Sequence, residues 1–211
     1  MVRVLYPQSQ ETFSEILQDS AVAYLLSQLQ PHHQESYEHS LRVGALALDV
    51  GYENALFAEQ RITLGRAAVL HDIGKRNIPY CILGKEGPLT DDEKMIMDGH
   101  VRWGFRALAS ASDFDLVRKI LVQHHEYQPR PYPRSGEERR LVSRPTPERR
   151  NTDAAILCLA QMVAAADVFD ALASRRTYKE PLPKETMERI FREEYRGSRI
   201  YAEQVLRRFE P

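Results

Sequence analysis

Residues 54–75 read NALFAEQRITLGRAAVLHDIGK, and this stretch decides the fold. Its helical periodicity runs from about Asn54 to Leu70, delivers His71-Asp72 at the end of an apolar helix, and breaks at Gly74, next to Lys75. The pair joins an imidazole, a common metal ligand, to a carboxylate whose two oxygens can bridge two cations. A helix-capping aspartate beside a core histidine is the plainer reading of the same dipeptide, so its neighbours must decide.

Outward from this segment helical spacing dominates, and no stretch keeps the apolar/polar alternation of a half-buried strand, so the predicted fold class is all-α. Phe13, Ile16, Leu17, Val22, Leu25, Leu26 and Leu29 form the stripe of a first helix closed by Pro31. A second helix is expected over roughly Glu35 to Val50, with Gly51 at its C-cap. Thr90-Asp91-Asp92-Glu93 matches a capping box, opening a helix that carries His100. A helix from about Phe114 brings His124 and His125 to its end. From Gln128 to Thr152 five prolines and seven arginines with few apolar residues predict a long surface loop. A strongly apolar helix resumes over Asp153 to Ser174, and shorter ones follow Pro183 and Gly197.

The 211 residues suit one domain, and 43% hydrophobic with 28% charged residues is the balance of a folded chain. A net charge of −1 gives no reason to expect nucleic acid or an anionic membrane as partner. The run Ala154 to Ala166 is interrupted by Gln161 and is shorter than the roughly twenty residues that span a bilayer, so no membrane helix is expected. Met1 to Gln10 lacks the apolar core of a signal peptide, and Cys81 and Cys158 cannot form a disulfide framework. A reducing cytoplasm is the expected compartment.

The chemistry-bearing residues are histidines and carboxylates. Glu35 and His39 stand four apart, on one helix face; alone, that spacing also fits a solvated surface pair. His124-His125 is a stronger signal, since two adjacent histidines at the end of an apolar stretch cannot both face a core without cost. Asp167 falls within the apolar run Met162 to Leu172, where a buried carboxylate needs a cation or several donors. Asp170 lies one turn further on and could orient a ligand histidine. Nitrogen and oxygen donors with no thiolate suit iron or manganese, though zinc or nickel could occupy such a site on affinity grounds; iron is the expected metal.

Together His39, His71-Asp72-Ile73-Gly74-Lys75, His100, His124-His125-Glu126, Asp167-Val168-Phe169-Asp170 and Arg176-Thr177-Tyr178-Lys179 resemble the HD-GYP subgroup of the HD phosphohydrolase superfamily, over about Glu35 to Lys179. The resemblance implies an HD-domain helical bundle around a central metal cluster and, as usual activity, hydrolysis of the cyclic dinucleotide cyclic di-GMP. With the N-terminal stripe read above, the expected organisation is a helix within residues 1–33 packed on an HD-GYP-like phosphohydrolase domain over 34–211 that carries the Arg-rich loop at about 128–152. By the same resemblance His39, His71, Asp72 and Asp167 hold one divalent ion, and Asp72 with His100, His124 and His125 holds the next. Glu35 would admit a third. Asp72 and Lys75 are the implied catalytic residues, and Lys75, Arg176, Lys179 and Tyr132 the implied substrate contacts. The family's Gly-Tyr-Pro is here Pro131-Tyr132-Pro133, followed by an Arg-rich insert.

The resemblance leaves room for a diguanylate-cyclase-type or other signalling protein as partner, and for a homodimer. Two rival readings remain. One is an HD-type hydrolase acting on another cyclic or linear nucleotide. The other is a non-catalytic metal-binding module that docks a protein or nucleic acid through Arg134 to Arg150.

Overall fold

The computed structural model describes residues 6–109, 112–129, 147–174 and 183–208, and among these every regular element is helical. The helices are α1 (Pro7–Gln18), α2 (Ser20–Leu29), α3 (Gln34–Glu53), α4 (Ala58–Leu70), α5 (Tyr80–Leu83), α6 (Asp91–Ala107), α7 (Asp115–Leu121), α8 (Pro147–Ser174), α9 (Lys184–Glu194) and α10 (Arg199–Leu206). Short 3-10 turns lie at Ile73–Asn77 and His124–Tyr127.

The centre is made by α3, α4 and α8, with α1 and α2 covering one side, α7 packed on α4 and α8, and α9 and α10 against α8. From Leu159 to Asp170 nearly every residue of α8 is buried, so this helix is apolar all round because it has protein on every side. Residues Ala154–Ala173 are long and apolar enough to cross a membrane by length and composition, which the expectation of no such helix overlooked. Most of that segment is buried inside the fold, and its interior position accounts for its hydropathy.

Several boundaries differ from expectation. The first helix is two helices, because Asp19 leaves helical geometry at ψ 122° and its carboxylate accepts hydrogen bonds from the amides of Ala21 and Val22. A side-chain cap thus restarts the chain within one apolar stripe. Gly51 is not a C-cap: α3 continues to Glu53, and a Cβ at Gly51 would stand 2.8 Å from Leu64 Cδ2. The glycine permits close packing of α3 on α4. Ala55, at φ 51°, adopts the left-handed conformation, so the helix expected from Asn54 begins only at Ala58. α8 begins at Pro147, inside the stretch expected to be loop, and residues 130–146 of that stretch lie outside the described residues.

Two local devices position the chemistry. The capping box forms as expected, with Glu93 N donating to Thr90 Oγ1 and Thr90 N donating to Glu93 Oε2. Gly74 sits in the 3-10 turn after α4, where a Cβ would fall 1.8 Å from the carbonyl oxygen of His100. Only a residue without a side chain lets this turn lie directly against α6, which brings Asp72 beside His100.

Candidate metal centre

Five elements converge on one buried cluster. His39 comes from α3, His71 and Asp72 from the end of α4, His100 from α6, His124 and His125 from the 3-10 turn after α7, and Asp167 from α8. His71, Asp72, His100, His124 and Asp167 are all buried, and the His39 side chain is mostly so. His124 and His125 do not lie on the expected helix, which ends at Leu121. The tighter turn aims both rings at the cluster.

Three of the histidines are held in the same way. The Nδ1 of His71, His100 and His124 bonds to the carbonyl three residues earlier, respectively Ala68 (2.7 Å), Met97 (2.7 Å) and Leu121 (2.5 Å). A carbonyl only accepts, so each Nδ1 carries the proton and each Nε2 presents a lone pair inward. The buried Nε2 atoms of His71 and His124 have no hydrogen-bond partner. A buried acceptor without a donor costs free energy unless a cation meets it.

Asp72 occupies the middle of the cluster. Its Oδ2 lies 3.3 Å from His71 Nε2 and 3.7 Å from His39 Nε2, while its Oδ1 lies 3.3 Å from His100 Nε2. The two oxygens of one carboxylate therefore face two different sets of imidazoles. Donor atoms of His39, His71 and Asp72 lie within 4.8 Å of one another, as do those of His100, His124 and His125 and those of His71, His124 and Asp167. His100 Nε2 and His125 Nε2 are only 3.3 Å apart, the spacing of two nitrogens turned toward one point.

The electrostatics are compatible with a bound cation. Burial alone would raise the Asp72 pKa, but Lys75, His71 and His100 hold it well below the usual carboxylate range. Burial would likewise raise Asp167, yet the hydrogen bond from His39 and the charges of neighbouring histidines hold it low. His39 behaves oppositely to its neighbours. Burial favours its neutral form, but hydrogen bonds to Asp167 and Asp170 outweigh that and push it up to about 9. His100, deeply buried and close to His125 and Lys75, is lowered to about 3 despite Asp72, and burial lowers His124 and His125 as well. His39 is thus pushed toward its protonated form, while burial pushes His100, His124 and His125 toward their neutral forms.

A second tier fixes His39. Its Nδ1 bonds to Asp170 Oδ2 (2.7 Å), and Asp170 is gripped from behind by Arg42, Nε to Oδ1 (2.8 Å) and one terminal nitrogen to Oδ2 (3.0 Å). The orienting role expected for Asp170 matches this geometry. Arg42 was absent from the sequence reading, although its place one turn beyond His39 on α3 was the available signal. Gln128 was also missed; its Nε2 reaches Asp167 Oδ2 at 3.4 Å.

Lys75 Nζ lies 2.5 Å from Asp72 Oδ2, and the negative charges of Asp72, Asp167 and Glu35 overcome burial to raise its pKa. Glu35 stands apart from the cluster: it is exposed, one turn before His39, and belongs to none of the close donor groups. Tyr132, Arg176 and Lys179 lie outside the described residues, as do Pro131 and Pro133. With paired carboxylates, inward lone pairs and no thiolate, the donor set is compatible with divalent metal ions.

Comparison with known proteins agrees with this chemistry. The chain is 35% identical over 179 residues to a cyclic di-GMP phosphodiesterase of Thermotoga maritima, covering 83% of this chain and 44% of that protein. It is 37% identical over 141 residues to the cyclic di-GMP phosphodiesterase response regulator RpfG of Xanthomonas campestris, covering 66% of this chain and 34% of that one. It is 31% identical over 148 residues to 3'3'-cGAMP-specific phosphodiesterase 3 of Vibrio cholerae, covering 69% and 28%. The chain spans less than half the length of these curated relatives. The phosphodiesterase PgpH HD domain of L. monocytogenes shares the fold, with a TM-score of 0.58 at 14% identity over 87% of this chain and 94% of that one. The HD domain model matches residues 36–172, which contain every member of the cluster, and the chain belongs to the HD domain family.

Proposed function

We propose that the chain is a metal-dependent phosphodiesterase of the HD-GYP type that hydrolyses cyclic di-GMP to the linear dinucleotide, GMP or both. The observation that carries this reading is Asp72, whose two oxygens face separate sets of imidazoles as a carboxylate bridging two cations must. In this reading His39, His71, Asp72 and Asp167 hold one ion, Asp72, His100, His124 and His125 hold another, and Glu35 serves an outlying third. Iron is the favoured metal and manganese the alternative. When bound, such cations supply charge neutralisation at phosphate oxygens and acidify water.

The chain's own residues do the rest. The Nδ1 bonds of His71, His100 and His124 keep the donor nitrogens aimed inward without reorganisation. Lys75, kept protonated by Asp72, offers a cation to a non-bridging phosphate oxygen. Arg176, Lys179 and Tyr132 are assigned substrate contact from their match to the family's motifs. Cys81 and Cys158 are both free thiols, in keeping with a reducing cytoplasm.

A second reading, hydrolysis of 3'3'-cGAMP, is favoured by the likeness to the Vibrio cholerae enzyme named for that substrate. Both cyclic dinucleotides, offered separately to iron- and manganese-loaded full chain, decide between the two, with products resolved by chromatography. Turnover of cyclic di-GMP that disappears with chelation is the expected result. No metal-dependent turnover of either would overturn the proposal in favour of a non-catalytic metal-binding module.

A further inference from the structure

Between α9 and α10 lies a cavity of about 630 Å³ that shares no lining residue with the metal-binding cluster. Its size falls in the range of small-molecule sites. Arg192, Arg196 and Arg199 line it, together with the buried aromatic residues Phe191 and Tyr195. Among the described residues these three guanidinium groups have no ion pair, side-chain hydrogen bond or ring contact. That sets them apart. Every other arginine with a described side chain, except Arg102, has a partner, whether a carboxylate, an amide or carbonyl oxygen, or an aromatic face. Of the two acidic wall residues, Glu193 is already engaged by Arg189, at 2.8 Å, so the walls present an excess of positive charge.

The turn between the two helices, which carries Arg196, is anchored firmly; Arg192 lies on α9 and Arg199 opens α10. Tyr195 Oη donates to the Gln161 carbonyl (3.1 Å), and Ser198 N donates to Gln161 Oε1 (2.9 Å). Arg196 N donates to the carbonyl of Tyr127 (2.7 Å), the last residue of the turn bearing His124 and His125. A Cβ at Gly197 would meet Tyr195 Oη at 2.3 Å, so the turn closes tightly over the ring. The three guanidinium groups are exposed at the mouth of the cavity, and guanidinium matches the oxygens of a phosphate by bidentate bonding.

We propose that this cavity is a second ligand site, separate from the metal centre, which takes a nucleotide-sized phosphorylated molecule whose phosphate is held by Arg192, Arg196 and Arg199. The inference does not depend on which substrate the metal centre hydrolyses.

Calorimetric titration of GMP tests it. In the full chain carrying Asp72→Ala, where the metal centre is disabled, GMP binding should persist. Adding Arg192→Gln, Arg196→Gln and Arg199→Gln should weaken it at least about tenfold, with the melting temperature unchanged. Inorganic phosphate should compete with GMP, and guanosine should bind far more weakly. Loss of GMP binding with Asp72→Ala alone, equal affinity with and without the arginines, absence of phosphate competition, or equal affinity for guanosine would each overturn the proposal. Should the multiple variant melt early, Arg199→Gln alone should weaken GMP binding severalfold, and no change there counts equally against the site.

Discussion

Helix α3 carries a buried charge network in each half, and the two are built differently. Toward its C-terminus, Asp49 accepts a hydrogen bond from Ser9 Oγ (2.5 Å) and lies 3.7 Å from Arg208 Nε, while Glu53 pairs with Arg208 (2.9 Å) and with Arg207. Arg208 also donates to the Gln204 carbonyl. Carboxylates there meet fixed cations from the protein itself. In the half that carries His39, Asp170 and Asp72 also meet a fixed cation each, Arg42 and Lys75, but the carboxylates face imidazoles as well, and the buried Nε2 atoms of His71 and His124 are left without donors. A buried network that supplies its own counter-charge ties the chain ends to the core; one that directs lone pairs at a common point is suited to receive a charge from outside.

The strongest way to break this contrast is Asp72→Ala. Removing the carboxylate whose two oxygens face different imidazole sets should lower kcat/KM for cyclic di-GMP by about a thousandfold and reduce metal content, measured by elemental analysis. Unchanged stoichiometry and turnover would end the bridging assignment. The opposite half should respond in stability instead. Arg208→Met leaves Asp49 and Glu53 without their main cation and should destabilise the fold by about 3 kcal/mol in denaturant unfolding, while metal bound per folded molecule stays the same. Loss of metal without loss of stability would show the two networks to be reversed in role.

Arg42→Ala sharpens the comparison inside the half that carries His39. It frees Asp170 from its bidentate hold, so His39 loses its fixed orientation, and metal affinity should fall about 10- to 100-fold with the other histidines intact. Wild-type affinity in a chelator competition would reduce Arg42 to a surface ion pair.

Protons provide a subtler probe. The pKa of His39 in the metal-free fold is raised to about 9, above its ordinary 6.5, so its protonation stabilises that fold fully below about pH 6.5, and the contribution is lost as pH rises through 9. A ligand imidazole must be neutral, so metal binding should tighten by about tenfold per pH unit between 7 and 9. A pH-independent metal affinity over that interval would mean that His39 does not compete for the ion. The smallest expected effect belongs to Arg176→Glu combined with Lys179→Glu, which should lower kcat/KM by at least about tenfold and leave metal content alone. Wild-type kinetics in that variant would remove both from the substrate path.

Much of this molecule was legible in its local sequence. Helical spacing gave the all-α class, the capping box at Thr90 formed as written, and His71-Asp72, His124-His125 and Asp167 stood out as polar groups at the end of or within apolar stretches, whereas His39 and His100 joined them only through the family resemblance. Such signals survive in sequence because a helix repeats every 3.6 residues and a buried polar side chain interrupts that repeat. The tertiary structure alone decided what those groups face. Asp170 meets His39 and Arg42 across separations of 131 and 128 residues, and no local spacing encodes that pairing. The break at Asp19, the close approach of Gly74 to His100 and the division of the Asp72 oxygens likewise depend on packing between elements. Periodicity determines which face of a helix is buried; the partner on that face is fixed only when the helices pack against one another.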